Sequence, residues 1–458
     1  GSAIRVDVRG REVMRVLPRL NEEVNEEWIS DKSRFIWDGL RSQRLDKPYI
    51  RENGNLRSAS WDEAFELVAS KLKTVGPDKT AALVGDLNGV EEVFALKSLM
   101  EKLEVKNLDC RESGSPLGEA GGRAGYIFNS TIAGIEEADA IMLIGCNPRL
   151  EAPVLNSRIR KRYLSGNVHI GVIGERADLT YPYTYLGDGT AALEDLTRHK
   201  AAKASRPMFI IGQGALARPD GKAVLATAMK AAQAIGVIKD DWNGFNVLHT
   251  AAGRVGALDV CALPTLPGGK DTAAILKGAK SGDIEVVYLL GVDEMDTKQL
   301  GDAFVIYQGS HGDAGAHRAD VILPGATYTE KSATYVNTEG RVQMARRANF
   351  PPGDAREDWA IIRALAGKLD LTLGFDNLAQ LRSSMYLIAP HLARLDEVEA
   401  SDAGLLTEIA KAGGKMTSRP FVSPVTDFYM TNPIARASKI MADCSSLRAS
   451  QQKLAAAE

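Results

Sequence analysis

The sequence predicts an α/β protein with two doubly wound parallel-sheet subdomains, a small β-rich segment before them and a helical extension after them. Three observations carry this reading. Short apolar runs that end at glycine recur six times between residues 81 and 310. Helical stretches alternate with them, the pattern of a parallel sheet covered on both faces. Beyond about residue 350 the strand signal fades and helical stretches remain.

Taken in order, AIRVDVRGREVMRVLPRL alternates apolar and polar residues around an RG turn, so residues 1–56 read as a small β-rich unit. Ser60 and Glu63 stand three apart as a capping box and open the amphipathic helix WDEAFELVASKLKTV. The apolar runs are AALVGD (81–86), AIMLIGCNP (140–148), HIGVIGE (169–175), MFIIGQG (208–214), VVYLLGVDE (286–294) and FVIYQGS (304–310). Glycine at the end of such a strand permits the sharp turn into a helix. Six units fit two subdomains, predicted at 57–205 and 206–349, with a junction near the basic, alanine-rich HKAAKASRP (199–207). Residues 350–458 are expected to be mainly helical, with Asn432-Pro433 as an N-cap and first-turn proline, and ASQQKLAAAE as a frayed tail.

Composition excludes some classes. The 56 Lys and Arg nearly balance 59 Asp and Glu, and a net charge of −3 gives no electrostatic reason to expect nucleic acid. No apolar run approaches the roughly 20 residues of a membrane helix, so no direct membrane insertion is expected. The chain opens at Gly1 without methionine or a signal-like region, as expected of a fragment or processed product; Gly1-Ser2 is also what a cloning scar leaves. The four cysteines, Cys110, Cys146, Cys261 and Cys444, form no C-x-x-C pair and fit a reducing compartment.

Several motifs invite chemistry. Gly212-Gln213-Gly214-Ala215-Leu216-Ala217 fits G-x-G-x-x-A after a strand, but ARPDG lengthens the loop and no acidic residue follows at the distance a dinucleotide site requires. A plain strand-to-helix turn is the favoured reading. His311, Asp313, His317 and Asp320 crowd one loop and have metal-ligand chemistry, but a solvated loop capping the next helix is the favoured reading. Cys146 ends a strand where α/β sheets place ligands, and Cys110 precedes Arg111, which could lower its pKa. Both are read as structural thiols.

Three long stretches carry a resemblance: RLDKPYIRENGNLRSASWDEAFELVASKL (44–72), ADAIMLIGCNPRLEAPVLNSRIRK (138–161) and HRADVILPGATYTEKSATYVNTEGRVQ (317–343). They resemble the molybdopterin oxidoreductase fold. Within it, the chain is similar to the molybdopterin-like half of the largest peripheral-arm subunit of respiratory complex I (the 75 kDa iron–sulfur subunit in mitochondria, and its bacterial counterpart). The ending DFYMTNPIARASKIMADC (427–444) is similar to that subunit's C-terminus.

The resemblance implies specific losses. In the molybdenum enzymes, GSAI and VNEEWISDKSRF correspond to segments whose cysteines complete a 4Fe–4S cluster; Ser2 and Ser30 stand there, and Ser33 replaces a glycine. Serine is a hard oxygen ligand and does not replace thiolate at iron–sulfur centres. The segment KNLDCRESGSPL (106–117) keeps the approach to a molybdenum ligand without a clear ligand. Gly145, Asn147, Glu339, Gly340 and Arg341 survive as counterparts of the pterin-nucleotide surface, read as fold-maintaining turns. The β-barrel that closes catalytic members is replaced by helix-reading sequence.

The expectation is therefore a structural, non-catalytic domain of the complex I iron–sulfur subunit, with no cofactor on this chain. The resemblance implies 2Fe–2S and 4Fe–4S clusters in the full-length subunit. It implies partners among the other peripheral-arm subunits and the subunit's own N-terminal ferredoxin-like part. It places the chain on the cytoplasmic side of a bacterial inner membrane or the matrix side of the mitochondrial one. The alternatives are a molybdenum or tungsten bis-pterin oxidoreductase of formate dehydrogenase type, and a module that keeps a pterin or nucleotide without the metal.

Overall fold

A computed structural model describes residues 1–198 and 203–457, with side chains to residue 451. Two parallel sheets form its centre. The larger has seven strands in the spatial order Asn55–Ser58, Tyr49–Glu52, Val321–Pro324, Phe304–Gly309, Val286–Leu290, Thr80–Val84 and Asn107–Asp109. Its last five strands pair in parallel, and the first two form an antiparallel hairpin on its edge. The smaller sheet is wholly parallel: Phe245–Val247, Pro207–Ile211, Ala140–Ile144, His169–Ile173 and Thr184–Gly187.

All six glycine-terminated runs are strands, and their apolar residues other than the half-buried Phe304 are buried on both faces, as parallel strands require. The capping-box helix runs over Trp61–Val75, and the Ser60 hydroxyl accepts from the Glu63 N–H at 3.1 Å. Ala64, Phe65, Val68, Ala69 and Leu72, at helical spacing, form its buried face.

The division at 205/206 does not follow the sheets. Strand Pro207–Ile211 pairs directly with Ala140–Ile144, across that boundary. The smaller sheet uses the continuous stretch 140–247, whereas the larger joins strands from 49–109 to strands from 286–324. Thus one unit is inserted into the other. The expected junction at 199–207 lies partly outside the described residues. Periodicity reports a strand's existence and says nothing about which distant strand it pairs with. The 1–56 unit is likewise divided: Ile4–Arg9 and Glu12–Pro18 form their own hairpin, while Tyr49–Glu52 joins the larger sheet.

Beyond 350, helices cover Asp358–Lys368, Leu378–Ile388 and Lys439–Ala457. The last replaces the expected frayed tail with helix, consistent with the high helix propensity of its alanines, lysine and glutamines. Helix does not continue from Asn432, however. The Asn432 side chain accepts from the Ala435 N–H at 2.9 Å, and the helix stops at Arg436. Residues 411–432 contain no helix or strand, so this part of the extension departs from the expected helix. Proline at 420 and 424 blocks regular structure there.

Candidate functional site

Open α/β sheets take ligands beyond the carboxyl ends of their strands, where strand order reverses. In the smaller sheet that point lies between Ala140–Ile144 and Pro207–Ile211, since the chain leaves the first strand in one direction and the second in the other. The two turns there carry Gly145, Asn147, Gly212 and Gly214. Gly145 has φ +59°, and a Cβ on it would lie 2.5 Å from the Ala215 nitrogen, so the turns meet backbone to backbone. Asn147 precedes a one-turn helix, Pro148–Glu151, and its N–H donates to Glu151 at 2.8 Å. Its side-chain oxygen is buried without a partner.

This crevice is covered from above by residues 417–423. A Cβ on Gly214 would lie 2.4 Å from the Val422 carbonyl oxygen. Phe421 is fully buried, and its N–H donates to the Asp188 carbonyl at 2.7 Å. Ser423 donates through its N–H to Glu175 at 2.8 Å and through its hydroxyl to Glu151 at 2.7 Å. Arg218, from the ARPDG insertion, donates to the Arg419 carbonyl at 3.0 Å and stacks on the Phe421 ring. Asp220 accepts from the Thr417 N–H at 2.6 Å. Burial works against the Asp220 charge, yet Arg218 and Thr417 hold its carboxyl below the usual range. Sequence reasoning missed these residues. The signal available was the pair of prolines in SRPFVSPV together with an insertion that lengthened a nucleotide-type turn.

The Glu339-Gly340-Arg341 turn lies elsewhere and is satisfied by protein groups. The buried Glu339 carboxylate accepts from the Ile132 N–H at 2.7 Å and from Arg341 at 2.8 Å. Gly340 adopts φ +84° and offers its carbonyl to Arg123 at 2.8 Å. Arg341 also reaches Glu23 at 2.5 Å, tying the turn to the N-terminal segment.

A second opening, a cavity of about 1050 Å³, lies at the carboxyl edge of the larger sheet between the N-terminal segment and the hairpin Ala333–Val336/Val342–Ala345. Ser2 lines it, as do Asp293, Tyr307, Lys331 and Asp358. Lys331 is buried between Glu92 at 2.5 Å and Asp358 at 3.0 Å. Burial pushes Glu92 up to about 7 against the opposing pull of Lys331. Burial likewise raises Asp293 to about 7, although it accepts from the Tyr307 hydroxyl and the Gly315 N–H.

Ser30 caps the helix Asp31–Phe35, accepting from the Ser33 N–H at 3.2 Å, and its hydroxyl lies 3.0 Å from that of Ser33. The fit to a 4Fe–4S cluster is decided by donor chemistry: residues 1–38 contain no cysteine. The metal reading of the 311–320 loop fails on geometry. His311 is buried against the Gly39 carbonyl and Ser310, and burial lowers its pKa to about 4. Asp313 caps a helix and accepts from Arg436, while Asp320 accepts from the Val305 N–H. Among the described residues no group of three or more His, Cys, Asp and Glu could hold a metal. Cys110 fits the structural-thiol reading: burial pushes its thiol up to about 12 against the opposing pull of Arg111, which is engaged by Asp109. Burial also raises Cys146 well above the usual thiol range.

Three family models match. Residues 44–368 match the molybdopterin oxidoreductase model, and residues 1–38 match the 4Fe–4S domain of NDSU1/NuoG-like NADH-ubiquinone oxidoreductase. Residues 397–444 match the C-terminal model of the NuoG-type subunit of NADH-ubiquinone oxidoreductase. The corresponding subunit of NADH-quinone oxidoreductase from Rickettsia bellii is 44% identical over 97% of this chain. The mitochondrial 78 kDa subunit of NADH-ubiquinone oxidoreductase of Neurospora crassa is 44% identical over 98%. The chain spans 64% and 61% of the length of these two relatives. By fold, acetylene hydratase from Pelobacter acetylenicus superposes with a TM-score of 0.55 at 13% identity, covering 81% of this chain and 67% of that one. A chain of the formyltransferase/hydrolase complex from Methylorubrum extorquens gives 0.52 at 15% identity, covering 70% and 98%.

Proposed function

Because this chain belongs to the molybdopterin oxidoreductase family, with relatives named as the NuoG-type subunit of NADH-quinone oxidoreductase, we propose that it is a non-catalytic scaffold region of that complex's iron–sulfur subunit. The complex would oxidise NADH and reduce quinone, and none of that chemistry would occur on this chain. One observation carries the reading. A cluster-domain model matches residues 1–38, yet that stretch offers serine and no thiolate where a cluster needs sulfur. Ser30 instead spends its hydroxyl on a helix cap.

Four of the five pterin-site counterparts support the same conclusion. Glu339 and Arg341 pair with each other, Gly340 serves a turn, and Gly145 lies packed against the neighbouring turn. These turns, satisfied by protein groups, do not fit a resident pterin. The relatives' names favour this reading over a formate dehydrogenase-type enzyme. The 2Fe–2S and 4Fe–4S clusters would lie in the part of the subunit beyond this chain. Its partners would be that part and the other peripheral-arm subunits, met through residues 1–56 and the C-terminal extension. Among the described residues no helix is long and apolar enough to cross a membrane. The complex would present this chain to the cytoplasm in bacteria or to the matrix in mitochondria.

Metal and sulfide analysis after anaerobic purification from cells fed iron and molybdate tests the reading. The expected result is no stoichiometric iron, molybdenum or tungsten; stoichiometric molybdenum or tungsten overturns it. A thermal-shift screen with guanine nucleotides separates the remaining alternative, a metal-free pterin or nucleotide module, which requires a shift.

A further inference from the structure

The crevice at the strand-order reversal of the smaller sheet is where an open α/β sheet takes its ligand. Here that place is filled by the chain itself. We propose that residues 417–423 are a built-in plug that occupies this crevice and keeps it shut to small molecules.

Four observations converge on it. The Val422 carbonyl sits so close to Gly214 that only glycine leaves room for it. Phe421 is fully buried in the hydrophobic core that also holds Ala215 and Leu216 of the turn beneath it. Thr417, Phe421 and Ser423 are each held by hydrogen bonds from separate parts of the small-sheet unit, at Asp220, Asp188, and Glu175 with Glu151. Moreover, the plug lies wholly within residues 397–444, matched by the NuoG-type C-terminal model and lying outside the molybdopterin oxidoreductase match at 44–368. The plug thus belongs to the end of the chain that the general family model leaves unmatched. Asp220 and Arg218, which clamp it, come from the ARPDG insertion that spoils the G-x-G-x-x-A turn as a dinucleotide site.

The inference is independent of whether the chain is a scaffold, since it concerns only what fills the crevice. Hydrogen–deuterium exchange on the full chain tests it. In the native protein, peptides spanning 417–425 should exchange as slowly as ordered strands, because the Phe421 and Ser423 amides are bonded. Phe421→Ala should speed that exchange at least tenfold. It should also speed exchange in the two turns beneath, 145–151 and 212–217, while strand 286–290 stays unchanged. Ser423→Ala, which removes only one hydroxyl, gives the same pattern at smaller amplitude and serves if Phe421→Ala fails to fold. Fast exchange of 417–425 in the native protein overturns the proposal. So does release of 417–425 that leaves both turns at their native rates, because the segment would then lie beside the crevice without closing it.

Discussion

Ser30 poses the question of cap against lost ligand at the scale of one hydroxyl. It N-caps Asp31–Phe35, so Ser30→Ala should cost about 1 kcal/mol in denaturant unfolding; no measurable loss would remove the structural explanation for serine at this position. Lys331 has more at stake. It is the cation held between the buried Glu92 and Asp358, and Lys331→Met should cost about 3–5 kcal/mol by leaving those carboxylates without it. A loss below about 1 kcal/mol would contradict that assignment. Asp293 gives a pH dependence. Its folded pKa, raised by burial to about 7, lies above the unfolded value, so its contribution to stability is fully present below the unfolded pKa and is lost as pH rises toward 7. Asp293→Asn should therefore shrink the loss of stability between pH 5 and 8 by about 2–3 kcal/mol, read from urea midpoints at both pH values. Glu92, also pushed up to about 7, keeps the variant from becoming fully pH-independent.

At the scale of elements, the plug's attachment should be dominated by one side chain. Burying a phenyl group is worth roughly 2–3 kcal/mol and a hydrogen bond about 1, so Phe421→Ala should destabilise by about 3 kcal/mol and Ser423→Ala by about 1. Equal losses would show that the polar contacts carry the attachment. The same elements show what the sequence could reveal. Long apolar runs such as MFIIGQG were legible because a buried parallel strand needs unbroken apolar residues on both faces. The three-residue strands Asn107–Asp109 and Phe245–Val247 were too short to produce a period. Val321–Pro324 was missed because its run is short and no helix follows to complete the repeating unit. Ser30 was legible as an emptied ligand position only through the family resemblance, and its helix cap emerges from the structure. The plug was not legible, because nothing in RPFVSPV encodes the distant Gly214 it rests on.

At the scale of the whole molecule, large apolar side chains remain exposed in the regions proposed to dock: Leu20 at 69% and Trp28 at 57%, with Leu387 at 85% in the C-terminal extension. Replacing Leu20 and Trp28 by serine should leave this chain's stability within about 0.5 kcal/mol. It should lower recovery of the full-length subunit with its complex in affinity purification; undiminished recovery would move the docking surface elsewhere. The interleaving of the two sheets has a consequence in time. All strands of the smaller sheet lie between residues 140 and 247, so they are available to one another as soon as that stretch leaves the ribosome. The larger sheet must wait, because Thr80–Val84 meets Asn107–Asp109 early on one side but finds its other neighbour, Val286–Leu290, some 200 residues later. Until then Thr80–Val84 and Tyr49–Glu52 each keep one edge unpaired, the condition in which chains misassemble and chaperones are needed. The nascent chain is thus most vulnerable while its inserted unit is already complete.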